Sequence, residues 1–458
     1  MPHSSNLSKR MNIRTLVWPI FIETLLRMSI MTIDVTMIAR YSQEAVAAIG
    51  LTGHFVVFMI ISYMIVASGS AILIGQNLGA NRKQEARSYS EAGILLMLIF
   101  SAAVGLLFFM ASDAIVSLYG MAPIPEAYAK GYLLIVGSLS LGMALSIGFS
   151  TILRAYGYSK SPMIIQLMAG VINGLGNFAA LFGPFGLPVT GVTGVAFATV
   201  ASQLISAFVA YRLIRRHSIP FSFRQIFNTE ATRMKDILKL GLPNAGEGMS
   251  YNLAQVSIMF FIAQLGTMAL AAATIVQTLQ RLIFAYAMAM GNGSQILSSY
   301  MVGQDRKQEL RSNVHRYWLL GIAVSFGLTA LIYSLRAPLA AFFSDDPQTQ
   351  QLIGAVLLVS FYLETGRAVN LIVISALKGA GDVVFPVKIG IVSMWGIGVF
   401  LAWLLGLHWG FGLVGVWFAV GTDEWTRALI VIVRWHRGRW KSKSKVLKPL
   451  AAEAIEAN

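Results

Sequence analysis

Ten charged residues lie inside long apolar stretches of this 458-residue sequence: Glu23, Arg27, Asp34, Glu247, Arg281, Glu364, Arg367, Asp423, Glu424 and Arg427. An ionisable group at the centre of a membrane helix costs at least ~2.5–3.5 kcal/mol, so each of the ten needs a reason. Asp34 has no basic residue three or four positions away on either side. Its partner must be another helix, water or a transported ion, unless it caps a helix near the surface. A desolvated, unpaired carboxylate could take up a proton near neutral pH. Glu247 follows Gly241-Leu-Pro-Asn-Ala-Gly246, where proline and glycines loosen a helix and free backbone carbonyls. Carboxylate and carbonyl oxygens together suit a cation such as sodium, although local hydroxyls and amides would also satisfy the side chain. Glu23 follows Trp18-Pro19 in a similar setting.

Glu364 and Arg367 stand at i, i+3, close enough to form either a structural ion pair or part of a site. Asp423 and Arg427, at i, i+4, neutralise one another. Asn173 and Asn177, also at i, i+4, put two amides on one helix face, where they line a cavity or bond a neighbouring helix. Glu23, Asn173, Asn177, Asn252, Gln277, Arg281 and Arg367 are the candidates to line a substrate cavity. Asp34, Glu247 and Glu364 are the candidates to bind a coupling ion.

The elements that position these groups follow from composition. Hydrophobic residues make up 56% of the chain and charged ones 12%, about half the charge of an average soluble domain. An all-α polytopic membrane protein is the class that fits. The twelve predicted spans are 14–39, 46–76, 92–116, 129–152, 163–183, 192–213, 237–263, 270–299, 316–340, 350–377, 387–406 and 411–434. The short polar N-terminus carries no small-residue cleavage site behind an apolar region, so the first span is retained. The absence of cysteine excludes thiol chemistry and disulfides, and the six scattered histidines show no metal-ligand spacing.

The net charge of +15 is a topology signal. The N-terminus, the loops after even-numbered spans and the C-terminal tail hold 27 of the 35 Lys and Arg residues; the opposite loops hold three, Arg40, Lys130 and Arg336. Both termini are therefore expected on the cytoplasmic side of the inner membrane. The basic character does not point to nucleic acid.

A shift of 224 residues superposes the halves without a gap over the first four spans. Pro19 falls on Pro243, Glu23 on Glu247, Gly69-Ser70 on Gly293-Ser294, Arg82-Lys-Gln-Glu85 on Arg306-Lys-Gln-Glu309, and Gly157 on Gly381. Later the offset is 221, pairing Gly191 with Gly412. The expected organisation is an N-terminal six-helix lobe at 1–214, a linker at 215–236, a C-terminal six-helix lobe at 237–435 and a basic tail at 436–458. Six crossings is an even number, so the lobes run parallel, related by a pseudo-twofold axis along the membrane normal. That is a design of alternating-access transporters, with the site between the bundles.

No nucleotide loop, Ser-His-Asp set or paired catalytic carboxylates occur in the polar segments, so the chain is read as a non-enzyme without cofactors. Its energy source is then an ion gradient or the substrate's own gradient. At this point the chain, over 14–435, resembles the multidrug and toxic compound extrusion (MATE) transporters. The resemblance rests on Ile33-Asp34-Val-Thr-Met-Ile-Ala-Arg40, Gly69-Ser70 with Gly75-Gln76 and Gly79-Ala80, Leu153-Arg-Ala-Tyr-Gly157, Gly241-Leu-Pro-Asn-Ala-Gly-Glu247 and Leu377-Lys-Gly-Ala-Gly-Asp382. It implies secondary active efflux of organic, mostly cationic compounds by antiport with H+ or Na+, with Asp34 and Glu247 as the acids of the two lobes. The tenth-span acid of sodium-coupled members falls at Arg367, with Glu364 one turn earlier, and a fifth-span acid of some members is Asn177 here. The coupling ion stays open between proton and sodium. A lipid-linked precursor flippase of the same superfamily is the alternative function, and the chain is expected to work as a monomer in the bilayer.

Overall fold

The computed structural model describes residues 10–444. The expectations placed on the first nine residues and on 445–458, the end of the basic tail, lie outside it. Twelve membrane-scale helices follow in order: α1 Ile13–Tyr41, α2 Gln43–Gly79, α3 Lys83–Ser117, α4 Pro123–Ser138 with Leu141–Ala155, α5 Lys160–Phe182, α6 Gly191–Arg216, α7 Ala231–Gln264, α8 Thr267–Gly303, α9 Lys307–Ser334, α10 Pro347–Gly379, α11 Val384–His408 and α12 Gly412–His436. Among the described residues, nine helices and the bent pair α4 are long and apolar enough to cross a membrane. The other two, α7 and α12, are interrupted by charge, Asp423, Glu424 and Arg427 among them. Large apolar side chains such as Leu106, Phe109 and Met110 on α3, Leu175 and Phe178 on α5 and Phe326 on α9 remain exposed, as a lipid-facing surface requires.

Two details depart from the predicted spans. The fourth is bent by 47° about residues 139–140, where Ser140 accepts a hydrogen bond from the Tyr63 hydroxyl at 2.8 Å. The ninth stops at Ser334, and a separate short helix, Arg336–Phe343, follows it.

The duplication is written into the backbone. Helix starts at 43, 83, 123 and 160 are matched 224 residues later at 267, 307, 347 and 384. The left-handed turn residues repeat as well: Asn81 (φ 60°) matches Asp305 (φ 59°), and Gly157 (φ 80°) matches Gly381 (φ 93°). At the shorter offset of 221, Gly191 (φ 61°) matches Gly412 (φ 59°). These positions favour glycine or a short polar side chain because a Cβ is otherwise strained there.

Contacts gather the chain into two compact units. The first holds Ile22–Ile74 and Arg82–Ala245; the second holds Asn12–Phe21, Gly75–Asn81 and the described residues from Gly246 onward. Each unit thus takes in the first turns of the other half's leading helix, and glycines make room for them. In the first unit, Gly69 of α2 lies on the Ile237 carbonyl and Gly241 of α7 on the Ile65 carbonyl. In the second, Gly293 of α8 lies on Ile13, Leu16 and Val17 of α1. The end of α2 also crosses the end of α8 within the second unit: a Cβ on Gly79 would strike the Tyr300 carbonyl, and one on Gly303 would strike that of Gln76. Small residues let backbones approach this closely where no water drives helices together.

The segment after α12 belongs to the same packing. Trp440 is fully buried and stacks on Trp435 at 4.3 Å, and Ser444 donates to the side-chain oxygen of Gln76, whose amide donates to the Gly379 carbonyl at 3.0 Å. Gly303→Val should therefore destabilise the protein by more than the 1–3 kcal/mol typical of overpacking, because the collision is with backbone. Gly327→Val, with open space around it, should be near neutral. Melting in detergent measures both, and equal losses would contradict the packing described.

Candidate functional site

In the first unit, Asp34 is half-buried on α1 and meets the two amides of α5 expected on one face. Asn177 donates to Asp34 Oδ1 at 3.0 Å. With its nitrogen turned toward α1, the Asn173 amide lies 3.2 and 3.1 Å from the two Asp34 oxygens, and its own oxygen then accepts from the Thr199 hydroxyl at 3.2 Å. That orientation satisfies both ends of the amide. Tyr132 of α4 is buried beside Thr199 and Asp34. Among the described residues no Lys, Arg or His lies within ion-pair distance of Asp34. The arrangement is a carboxylate held by neutral donors.

Glu23 is different. It is 4% exposed and shares Oε1 between Arg154 at 2.5 Å and Arg27 at 3.1 Å. A cavity of about 90 Å³ opens beside this group, its polar wall formed by Ser146, Ser150, Gln166, Gln203 and Ser206.

In the second unit Glu247 repeats the pattern of Glu23, bonding Lys378 at 2.7 Å. The two pairs are duplicates: each spans 131 residues and joins the leading helix of a half to a base near the end of the fourth. The softened helix at Pro243 therefore presents Glu247 to an ammonium group. No group of three or more acids and histidines that could hold a metal ion occurs among the described residues.

Glu364 is completely buried and bonds Arg367 at 2.6 Å; Arg367 also reaches Glu424 at 3.5 Å. Arg427 bonds Asp423 at 2.6 Å and Glu424 at 3.1 Å. Asn370 donates to Glu424 at 2.7 Å and Ser393 to Asp423 at 2.5 Å. Three carboxylates thus share two guanidiniums across α10 and α12, with one polar donor each from α10 and α11 bonding Glu424 and Asp423, while Glu364 Oε2 has no hydrogen-bond donor. This is the low-dielectric network in which every member needs its partners.

A cavity of about 220 Å³ lies beside the network. Its polar wall is Gln255, Gln277, Gln280, Arg281 and Arg367; Tyr251, Phe284 and Trp417 supply aromatic surface. Neither Glu247 nor Glu364 is among its lining residues; Lys378 bonds the one and Arg367 the other. Asn252 is also absent from its wall; exposed on α7, it bonds the Gly248 carbonyl of its own helix at 2.8 Å. Gln277 and Arg281 are exposed on α8 toward the cavity.

Sequence reasoning missed Arg154 and Lys378 as the partners of Glu23 and Glu247. The signal was present, since the offset that pairs the glutamates also pairs these two bases. Thr199, Tyr132, Asn370 and Ser393 carried none, because uncharged side chains in apolar helices give no periodic mark.

Comparison with known proteins agrees with this layout. A family model described as MatE matches residues 19–179 and again 243–404, two stretches that begin 224 residues apart. An uncharacterized transporter of Bacillus subtilis, YisQ, is 34% identical over 438 residues, 95% of this chain and 96% of that protein. A probable multidrug resistance protein NorM of Thermotoga maritima is 24% identical over 96% of this chain and 94% of its own length. Among solved structures, a mutant of the Vibrio cholerae MATE transporter VcmN superposes with a TM-score of 0.84 at 16% identity, covering 96% of this chain and all of that one. With twelve helices in two bundles and a family match in each half, the chain belongs to the MATE family of multidrug efflux transporters.

Proposed function

We propose that the protein is a proton-coupled antiporter of the inner membrane, exporting organic, mostly cationic molecules by alternating access, with Asp34 as the group that takes up and releases the proton. The observation that carries this reading is the contrast among the embedded acids. Glu23, Glu247, Glu364, Asp423 and Glu424 each bond an arginine or lysine; Asp34 bonds amides. A carboxylate locked to a base has its charge satisfied throughout, whereas one held by neutral donors in a low dielectric gains from protonation. Sodium fits Asp34 less well than a proton does, because Asn177 turns nitrogen rather than oxygen toward the carboxylate and hard cations need several oxygen ligands. The charge asymmetry of the loops supports cytoplasmic termini, and a single chain supplies both bundles, which supports action as a monomer.

Asp34→Asn should leave expression and melting within about 1 kcal/mol of wild type, since an amide keeps the shape. It should nevertheless abolish ethidium efflux driven by an imposed pH gradient in proteoliposomes. Wild-type rates in that variant, or efflux driven by sodium alone, would overturn the proposal.

The pair Glu247–Lys378 gives a second check. Removing either partner breaks a partly buried ion pair and should lower stability by about 1–3 kcal/mol. Glu247→Gln combined with Lys378→Gln should recover most of that loss and restore pH-driven efflux. A stable but inactive double variant would mean that Glu247 carries a coupling ion after all.

A further inference from the structure

Arg437 and Arg439 present free guanidiniums at the end of α12. Among the described residues neither side chain makes an ion pair or a hydrogen bond, and both are exposed. Arg434, one turn earlier, is committed: it bonds both oxygens of the buried Asp382, at 2.9 and 3.2 Å, and lies over the Phe385 ring at 4.3 Å. The three arginines rim an open groove of about 340 Å³, whose remaining wall is Phe385 of α11 with Leu429, Ile430 and Val433 of α12. No carboxylate lines it. Residues 429, 430, 433, 434 and 437 recur at helical spacing, so α12 offers one stripe that is apolar in its body and cationic at its end.

Local structure fixes the rim. The chain turns at Gly438 (φ 68°), a left-handed position that suits glycine. The buried Trp440 holds the turn, its indole donating to the Trp435 carbonyl at 2.9 Å. Arg439, between the two, is thereby returned to the groove that Arg437 lines. With 25 residues, α12 is about 38 Å long at 1.5 Å per residue, so its ends reach the headgroup layers flanking a hydrocarbon core of about 30 Å. The dipole of a helix C-terminus would by itself favour bases here. It does not call for an exposed apolar groove below them.

We infer that this groove binds an anionic glycerophospholipid, with the phosphate on Arg437 and Arg439 and an acyl chain against Phe385, Leu429 and Val433. The planar fork of guanidinium matches phosphate oxygens, and basic clusters beside apolar helices at the membrane boundary attract lipid head groups of that charge. A free phosphate could use the arginines but not the groove; the apolar wall selects a lipid. The assignment depends on neither the exporter reading nor the coupling ion.

The test is native mass spectrometry of the full-length protein, delipidated in detergent and titrated with phosphatidylglycerol and with phosphatidylethanolamine of identical acyl chains. Phosphatidylglycerol should bind at least about tenfold tighter, the scale of one charged hydrogen-bonded contact. Arg437→Gln with Arg439→Gln should erase that preference and leave phosphatidylethanolamine within about twofold, while lysine at both positions should retain part of it. Arg215→Gln with Arg216→Gln removes the same charge from the end of α6 and should leave the preference intact. Glycerol 3-phosphate, which lacks the chains, should bind at least about a hundredfold more weakly than phosphatidylglycerol, because burying a few methylenes is worth that factor. Equal affinities for the two lipids in wild type would overturn the assignment. So would an equal loss of preference in the α6 variant, or glycerol 3-phosphate binding as tightly as the lipid.

Discussion

A charge moved alone into hydrocarbon is expensive enough that the bilayer sorts every ionisable side chain in the helices into the matched and the unmatched. Here the matched ones build the protein. Glu23 with Arg154 and Glu247 with Lys378 bind the leading helix of each half to the end of its fourth. The five charges of α10 and α12 lock those helices into one buried network. Once these groups are assigned, two remain without an opposite charge: Asp34 in the first unit and Arg281 in the second. The proposed proton carrier comes from that remainder, because a carboxylate that the fold leaves without a base is one that a proton can neutralise.

Duplication sets where the matching can happen. Helix starts, left-handed turns and the two acid–base pairs repeat at a constant spacing, so each half inherited one structural ion pair in the same place. The glycines do complementary work. They thin the helices where the first turns of α1 lie on α8 and those of α7 lie near Ile65 and Gly69 of α2. A fold held by backbone contact and buried ion pairs can leave its remaining polar groups free for ligands. The halves differ at both unmatched charges: Asp34 corresponds in register to Ile258, a buried apolar residue, and Arg281 to Val57, an exposed one.

Much of this was legible in the residue order. Apolar runs, two of them interrupted by charge, located the twelve helices, and the offset exposed the repeat together with its matched turns. The isolation of Asp34 followed from the absence of a base three or four positions away on its own helix, and the spacing of Asn173 and Asn177 put the two amides on the face that meets it. What stayed hidden were contacts between helices distant in sequence. Glu247 read as a cation ligand because Pro243 and its glycines suggest open carbonyls, while Lys378 lies 131 residues away. Glu364 stayed open between an ion pair and a coupling site because i, i+3 spacing permits either, without revealing that Arg367 also reaches Glu424. The bend in α4 left no proline or glycine at residues 139–140 to announce it; a serine bonded to Tyr63 marks the spot.

The most direct check on Asp34 as the proton carrier is an infrared pH titration of the protein in hydrated lipid film, following the stretch of protonated carboxyl groups across the neutral range. One carboxyl band should grow on acidification in wild type, persist in a Glu23→Gln variant and vanish in Asp34→Asn. A band of undiminished size in Asp34→Asn would place the titrating proton on another acid and contradict the assignment.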